Sequence, residues 1–264
     1  MHFLKSAWVG IVSVAVVACG SPTAPTNDVT PDFIAATGMN VVAVGGTTRF
    51  SVTAYIRNSS PNAYVTGAQQ TADISRSATW TSDNPAVASI SSGNIVGRAP
   101  GIANVTARYM NREYPIPVYV VAPSASAEQF VGTWSGVMKR FCTDLVGDTR
   151  SCYPINNGQP YVFEENVSLS LTNAGGVLKG FIDMGGGQWT PATGPVAAGV
   201  NTNSELVVGG TPRISGHETP IQLRDWHFIL SDSQLIGSGT SDSTYVNIYG
   251  PVWQRVTYTE MNLH

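Results

Sequence analysis

Beyond residue 40 the chain alternates apolar and polar residues at period two, the mark of strands with one buried face. Phe50, Val52, Ala54 and Ile56 alternate with Ser51, Thr53 and Tyr55. Short apolar runs follow at Val87 and Ile90, at Ile95 and Val96, at Val105, Ala107 and Tyr109, and at Ile116, Val118 and Val120. Between them fall Asp83-Asn84-Pro85, Ser92-Gly93-Asn94 and Ala99-Pro100-Gly101, which supply turn conformations. Strand and turn at this spacing predict a β-sandwich of about seven strands.

A seam at Ala122 to Glu128 (APSASAE) ends the run PIPVYVV, and a new pattern starts at Phe130. Val167, Leu169 and Leu171 alternate with Ser168, Ser170 and Thr172, and Asn173-Ala174-Gly175-Gly176 turns the chain into Val177 to Ile182. Further strands are expected over 132–140, 195–200, 205–208, 221–230, 234–239, 245–249 and 251–259. Roughly eight or nine antiparallel strands with no helix fit an up-and-down barrel best, with a second sandwich as the alternative. The fold class is therefore all-β, divided into residues 30–122 and 127–264 with a linker at 123–126.

The first residues depart from this pattern. Lys5 precedes Ala7 to Ala18 (AWVGIVSVAVVA), an apolar run shorter than the roughly 20 residues a spanning helix needs. Residues 1–18 read as a signal peptide. Val16-Val17-Ala18-Cys19 resembles a bacterial lipobox, and that resemblance implies cleavage before Cys19 and a diacylglycerol on its thiol. The alternatives are an ordinary signal peptide with an incidental cysteine, or an uncleaved anchor. Each buried methylene contributes about 0.8 kcal/mol, so two or more acyl chains give durable anchoring where one binds reversibly. Gly20 follows the cysteine, rather than the Asp that retains such lipoproteins at the inner membrane. That points to a cell-envelope location, at the outer membrane or cell surface. Residues 19–29, rich in Pro, Thr, Ser and Asn, form an extended tether.

The segment Thr79 to Ile90 (TWTSDNPAVASI), then Ser92 to Gly97 (SGNIVG) and Ala99 to Ala107 (APGIANVTA), resembles the bacterial Ig-like domain, group 2. The match covers most of residues 40–121, with Val44-Gly45-Gly46 at the early turn, and implies a sandwich. The chain departs from that family by a polar insert over 57–77, read as an edge loop or a contact surface. Trp80 is expected in the core and Gly101 in a tight turn that a side chain would strain. In the second half, Gly132-Thr133-Trp134 resembles the Gly-x-Trp signature of lipocalins. The resemblance implies that Arg255, on the last strand, covers the Trp134 ring within about 6 Å.

Composition narrows the function. Only 12% of residues are charged and the net charge is -3, so no basic surplus exists to neutralise phosphates, and nucleic acid is not expected as a partner. Of the three cysteines, one is assigned to lipid and the others, Cys142 and Cys152, to a structural disulfide closing a short loop in an oxidising compartment. His217, His227 and His264 belong to no metal or triad motif, so neither a metal nor a cofactor is expected. Asp225 and His227 lie on one strand face within reach of a hydrogen bond, read as a wall pair. Glu164, Glu165 and Asp242 read as turn and edge charges, and Gly185-Gly186-Gly187 as a hairpin tip without the helix a phosphate loop requires.

These features lead to a membrane-anchored envelope lipoprotein with a non-enzymatic binding, adhesive or structural role and no catalytic residues. Its expected partners are the membrane, through lipid, and a surface carbohydrate or protein ligand. The rival reading is a lipocalin-like carrier of a small apolar ligand, distinguished by an apolar cavity of about 300 Å³ or more in the lumen. An exported hydrolase has the least support.

Overall fold

The computed structural model describes residues 30–56, 70–146, 162–185, 192–215, 220–247 and 250–264. Residues 33–121 supply β1 (Phe33–Thr37), β2 (Val41–Ala43), β3 (Thr47–Arg49), β4 (Ser51–Ile56), β5 (Gln70–Asp73), β6 (Thr79–Ser82), β7 (Ala88–Ser91), β8 (Asn94–Gly97), β9 (Gly101–Tyr109) and β10 (Arg112–Val121). They form three sheets, ordered β1-β4-β5, β2-β10-β9-β6 and β3-β8-β7. Val52, Ala54, Ile95, Val105, Ala107, Ile116 and Val118 close over one core, as the alternation predicts.

The strands outnumber the expected seven partly because one run is broken. β3 and β4 are separated at Phe50, whose N–H donates to Gly93 O at 2.9 Å and so belongs to the neighbouring hairpin. The end of the polar insert is also structural. Residues 70–73 pair with β4, Ile74 enters the core, and Ser75 Oγ accepts from Val52 N at 2.9 Å.

A 3-10 turn, Ala125–Phe130, leads into the second half. There follow β11 (Gly132–Val146), β12 (Phe163–Asn173), β13 (Leu178–Met184), β14 (Ala192–Val200), β15 (Leu206–Gly210), β16 (Arg213–Ile214), β17 (Ile221–Leu223), β18 (Trp226–Ser231), β19 (Gln234–Asn247) and β20 (Gly250–Leu263). Eight of these close an antiparallel barrel in chain order, from β11 to β15 and β18 to β20, with β20 returning to β11 and no edge left open. β16 adds to β14 and β17 to β19 outside the ring.

The expected strand 234–239 and residues 245–247 of the expected strand 245–249 belong to one strand, β19, while 248 and 249 lie outside the described residues. The polar residues Thr240 to Thr244 keep their pairing with β20, and Ser241, Asp242 and Thr244 each hydrogen-bond a tyrosine hydroxyl. One barrel end is closed by Phe130, fully buried, and carries the hairpins at 173–178, 200–206 and 231–234. β11, β13 and β19 end at the opposite rim. Leu169, Leu171, Leu178, Ile182, Leu206, Phe228 and Met261 share one lumen core with Trp226, whose ring centroid is 5.0 Å from that of Tyr258.

Candidate functional site

The largest concentration of buried polar groups lies where the sandwich rests on the barrel wall. Val41, Tyr119 and Val121 of the sandwich make an apolar contact with Val207 of β15. Close approach requires glycine on the barrel side: a Cβ on Gly199 would strike Val121, and one on Gly209 would strike Asn40 Oδ1. Asn40 is fully buried and staples the two halves. Its Nδ2 donates to Pro117 O at 3.2 Å and to Arg224 O at 3.0 Å, and its Oδ1 accepts from Gln222 Nε2 at 3.3 Å. Gln222 Oε1 in turn accepts from Gly38 N at 2.9 Å.

Asp242 is the hub of a second cluster. β19 points it out of the lumen toward the sandwich, where its side chain is only 1% exposed. Arg224 Nη1 donates to Oδ2 at 2.9 Å, Arg255 Nε to Oδ1 at 2.8 Å, and the Tyr114 hydroxyl to Oδ2 at 2.7 Å. The Arg224 guanidinium also lies 5.6 Å from the centre of the Tyr114 ring. Burial first, then the Asp242 charge, drives the Tyr114 hydroxyl well above the usual phenol range, so it stays a donor. Beside this cluster the Tyr55 and Thr244 hydroxyls share a hydrogen bond of 2.7 Å. An unmade buried hydrogen bond costs about 1–3 kcal/mol, so these contacts fix one relative orientation of sandwich and barrel.

A third cluster lies at the margin. The Tyr119 hydroxyl donates to Asp225 Oδ1 at 2.6 Å and lies 3.1 Å from His227 Nε2. Burial, followed by the hydrogen bond to Asp225, pushes that phenol upward. Asp225 and His227 are thus joined through a tyrosine of the other half rather than directly, so they are joint residues and not the bare wall pair the strand pattern suggested.

Several sequence expectations are corrected here. Asp242 is no edge charge, for the reason just given. Glu165 is not one either: it lies inside the barrel, 7% exposed, with Oε1 2.6 Å from Arg140 Nε. Glu164, its neighbour, is exposed as expected. Arg255 does not cover Trp134. It stands opposite Asp144 on β11, while Trp134 lies ten residues back along that strand opposite Leu169, about 33 Å away at strand rise. The Arg255 guanidinium instead lies 5.2 Å from the Trp253 ring, and the Trp134 indole donates to Phe130 O at 2.9 Å, fixing the barrel's closed end.

Trp80 is half-buried against the sandwich core, with its ring 6.5 Å from Phe50. Gly101 has φ of +146°, and a Cβ there would press on Val87 at 3.2 Å. Cys142 stands on β11 opposite Val256. Cys19, Cys152, His217, Gly186 and Gly187 lie outside the described residues. Among the described residues no three His, Cys, Asp or Glu side chains gather as a metal site would require.

An open groove of about 450 Å³ runs along the barrel exterior, lined by Ser135, Val137, Asn166, Ser168, Asp183 and His264. It is a shallow wall feature.

The joint was missed by sequence reasoning, although Arg224 carried a signal: a cation between Leu223 and Trp226 in the expected strand 221–230 needs a buried partner. Chemically, Asp242, Asn40 and Gln222 are turned on protein partners, so the joint holds two bodies together. Neither a protein-family model nor any curated protein matches the chain.

Proposed function

We propose that the protein is a lipid-tethered component of a bacterial cell envelope, acting without catalysis through the outer surface of one rigid body. The observation that carries this reading is the combination of a side-chain-filled lumen with a sandwich locked to the barrel by buried polar contacts. A cup that carried an apolar ligand would keep room for it. Here Trp226, Phe228, Tyr258 and the surrounding leucines occupy the axis, which favours a surface role over the carrier role. The likeness of residues 40–121 to group 2 bacterial Ig-like domains supports a spacer or adhesive part for the sandwich, by analogy of fold. Cys142 and Cys152 pair in this reading, and Cys19 carries the lipid.

The test has two arms on the mature chain. Mass spectrometry of the N-terminus is expected to find an acylated Cys19. Titration with a fluorescent fatty acid is expected to show no stoichiometric uptake, while glycan and protein arrays report surface binding. Stoichiometric uptake quenched by lumen tryptophans would establish the carrier instead, and an unmodified full-length N-terminus would remove the tether.

A further inference from the structure

The outer wall of the barrel over β11, β12 and β13 faces water, and the ladder fixes which side chains stand level on it. His264 and Ser135 exchange both backbone hydrogen bonds, Ser135 pairs with Ser168, Ser168 with Asp183, and Asp183 with Thr193. At the spacing of neighbouring strands these five residues form a polar row roughly 19 Å long. One step toward the Phe130 end, Thr133, Ser170, Phe181 and Pro195 stand level in the same way. Phe181 is 50% exposed, an aromatic whose ladder partners are Ser170 and Pro195. One step toward the other end, Val137, 47% exposed, stands opposite Asn166. The groove of about 450 Å³ follows the polar row from His264 to Asp183.

The row is equipped to meet hydroxyl groups. Ser135 Oγ donates to Ser168 Oγ at 3.2 Å, and the Thr133 and Ser170 hydroxyls share a bond of 3.0 Å. These hydroxyls are therefore oriented by one another and keep lone pairs for a ligand. Asp183 is exposed, and no donor among the described residues bonds its carboxylate, which presents two acceptor oxygens to the groove. Asn166 adds an amide that both donates and accepts. Among the described residues lining the groove Asp183 holds the only fixed charge, so the site repels anions and offers no lysine or arginine to hold a phosphate, sulfate or carboxylate. Peptide addition is closed off as well. β11, β12 and β13 are each paired on both sides, which leaves no strand edge for an extended peptide to join. A neutral sugar chain matches what remains: its hydroxyls bond serine, asparagine and carboxylate groups, while the C–H face of a pyranose ring covers an exposed aromatic and displaces its water.

We propose that this wall is a binding site for a neutral, linear oligosaccharide, laid along the row from His264 to Asp183 with one sugar face on Phe181 and with Asp183 accepting from ring hydroxyls. This rests on the surface-binding reading of the proposed function and names the ligand class and the place. The sandwich rests on β14, β15 and β17, so the joint leaves this wall open to solvent.

The test is amide chemical-shift mapping on the isotope-labelled mature chain. The probes are four neutral hexasaccharides (cellohexaose, maltohexaose, laminarihexaose and chitohexaose) and the anionic hexagalacturonate. Saturable shifts at Ser135, Ser168, Phe181 and Asp183 are expected with at least one neutral probe, and none with hexagalacturonate at the same concentration. For that probe Kd is expected to rise about tenfold in Phe181→Ala and several-fold in Asp183→Asn. Both side chains are exposed, and an unchanged circular dichroism spectrum confirms that the variants fold. Ile102→Ser, on the exposed face of the sandwich, is expected to bind as the parent does. Absence of shifts with all four neutral probes, shifts confined to other surfaces, or an affinity unmoved by both variants overturns the proposal, as does a preference for hexagalacturonate. Shifts at the same amides on concentrating the protein without sugar assign the wall to a second copy of the chain and likewise overturn it. A negative result here with a protein ligand found on arrays leaves the surface role standing, whereas stoichiometric fatty-acid uptake removes that role itself.

Discussion

Replacing Asp242 by Asn isolates the charge at the centre of the joint. The side chain keeps its shape, but Arg224, whose side chain is 9% exposed, loses its ionised partner, and the Tyr114 hydroxyl loses a charged acceptor. Breaking a buried pair on one side costs about 3–5 kcal/mol, because the remaining charge stays desolvated. The Arg255 contact adds little to this, since that side chain is 28% exposed and water compensates it in the variant. For a body of this size each kcal/mol moves the melting temperature by about 2–4 °C, so a fall on the order of 10 °C is expected. Calorimetry and urea unfolding of the mature chain measure it. A second signature is loss of cooperativity, with sandwich and barrel melting separately once the joint is weakened. Removing both charges, as Asp242→Leu with Arg224→Met, is expected to cost less than Asp242→Asn alone, since no unpaired buried ion is left. A cost below about 1 kcal/mol for Asp242→Asn, with one sharp transition retained, would refute the claim that this carboxylate ties the halves together.

Three further outcomes follow from named contacts. Gly209→Ala drives a methyl group into Asn40 Oδ1, so the sandwich must lift off the barrel or Asn40 must give up its bonds; a loss of about 1–3 kcal/mol in urea titration is expected, and a neutral result would show that the contact is slack. Trp226→Ala empties the middle of the lumen, for about 3–5 kcal/mol, and is expected to create uptake of small aromatics that the parent lacks; stability equal to the parent would mean that the lumen was not packed. Burial pushes the Glu165 carboxyl above its ordinary value, with Arg140 partly opposing it. The native state therefore keeps a proton that the unfolded chain releases, and stability declines as pH rises from the ordinary glutamate range to the raised one. Urea midpoints measured across that window should slope downward in the parent and flatten in Glu165→Gln; identical slopes would sink the assignment.

The fold was readable in the sequence because strand burial is periodic. Val167, Leu169 and Leu171 alternate with serines and threonine since one face packs in a lumen and the other meets water, and the hairpin at Asn173 to Gly176 announces its own turn. Chain-order topology then follows from short antiparallel connections. The placement of Arg255 was not readable, because a motif match says nothing of register. Two residues on neighbouring strands touch only if the ladder brings them level, and β11 sets Asp144, not Trp134, opposite Arg255.

The joint stayed hidden for a different reason. Period-two reasoning treats a polar residue on a strand as facing solvent, but the outward face of β19 meets a second folded body. Gly-Thr-Ser-Asp-Ser-Thr over 239–244 has the composition of a loop, yet Ser241 turns inward to Tyr258, while Asp242 and Thr244 turn outward to Tyr114 and Tyr55. The Asp242 and Tyr114 pair is separated by 128 positions in the chain, beyond any local pattern. What could have exposed it is a charge count within apolar runs. Arg224, between β17 and β18, is flanked by buried Leu223 and Trp226, and Arg140 lies two residues from buried Met138 on β11; burying a guanidinium demands a carboxylate from elsewhere. Asp242 and Glu165 are carboxylates on strands of the same barrel. Pairing them with these arginines would have turned two supposed surface charges into evidence for one filled lumen and one buried joint.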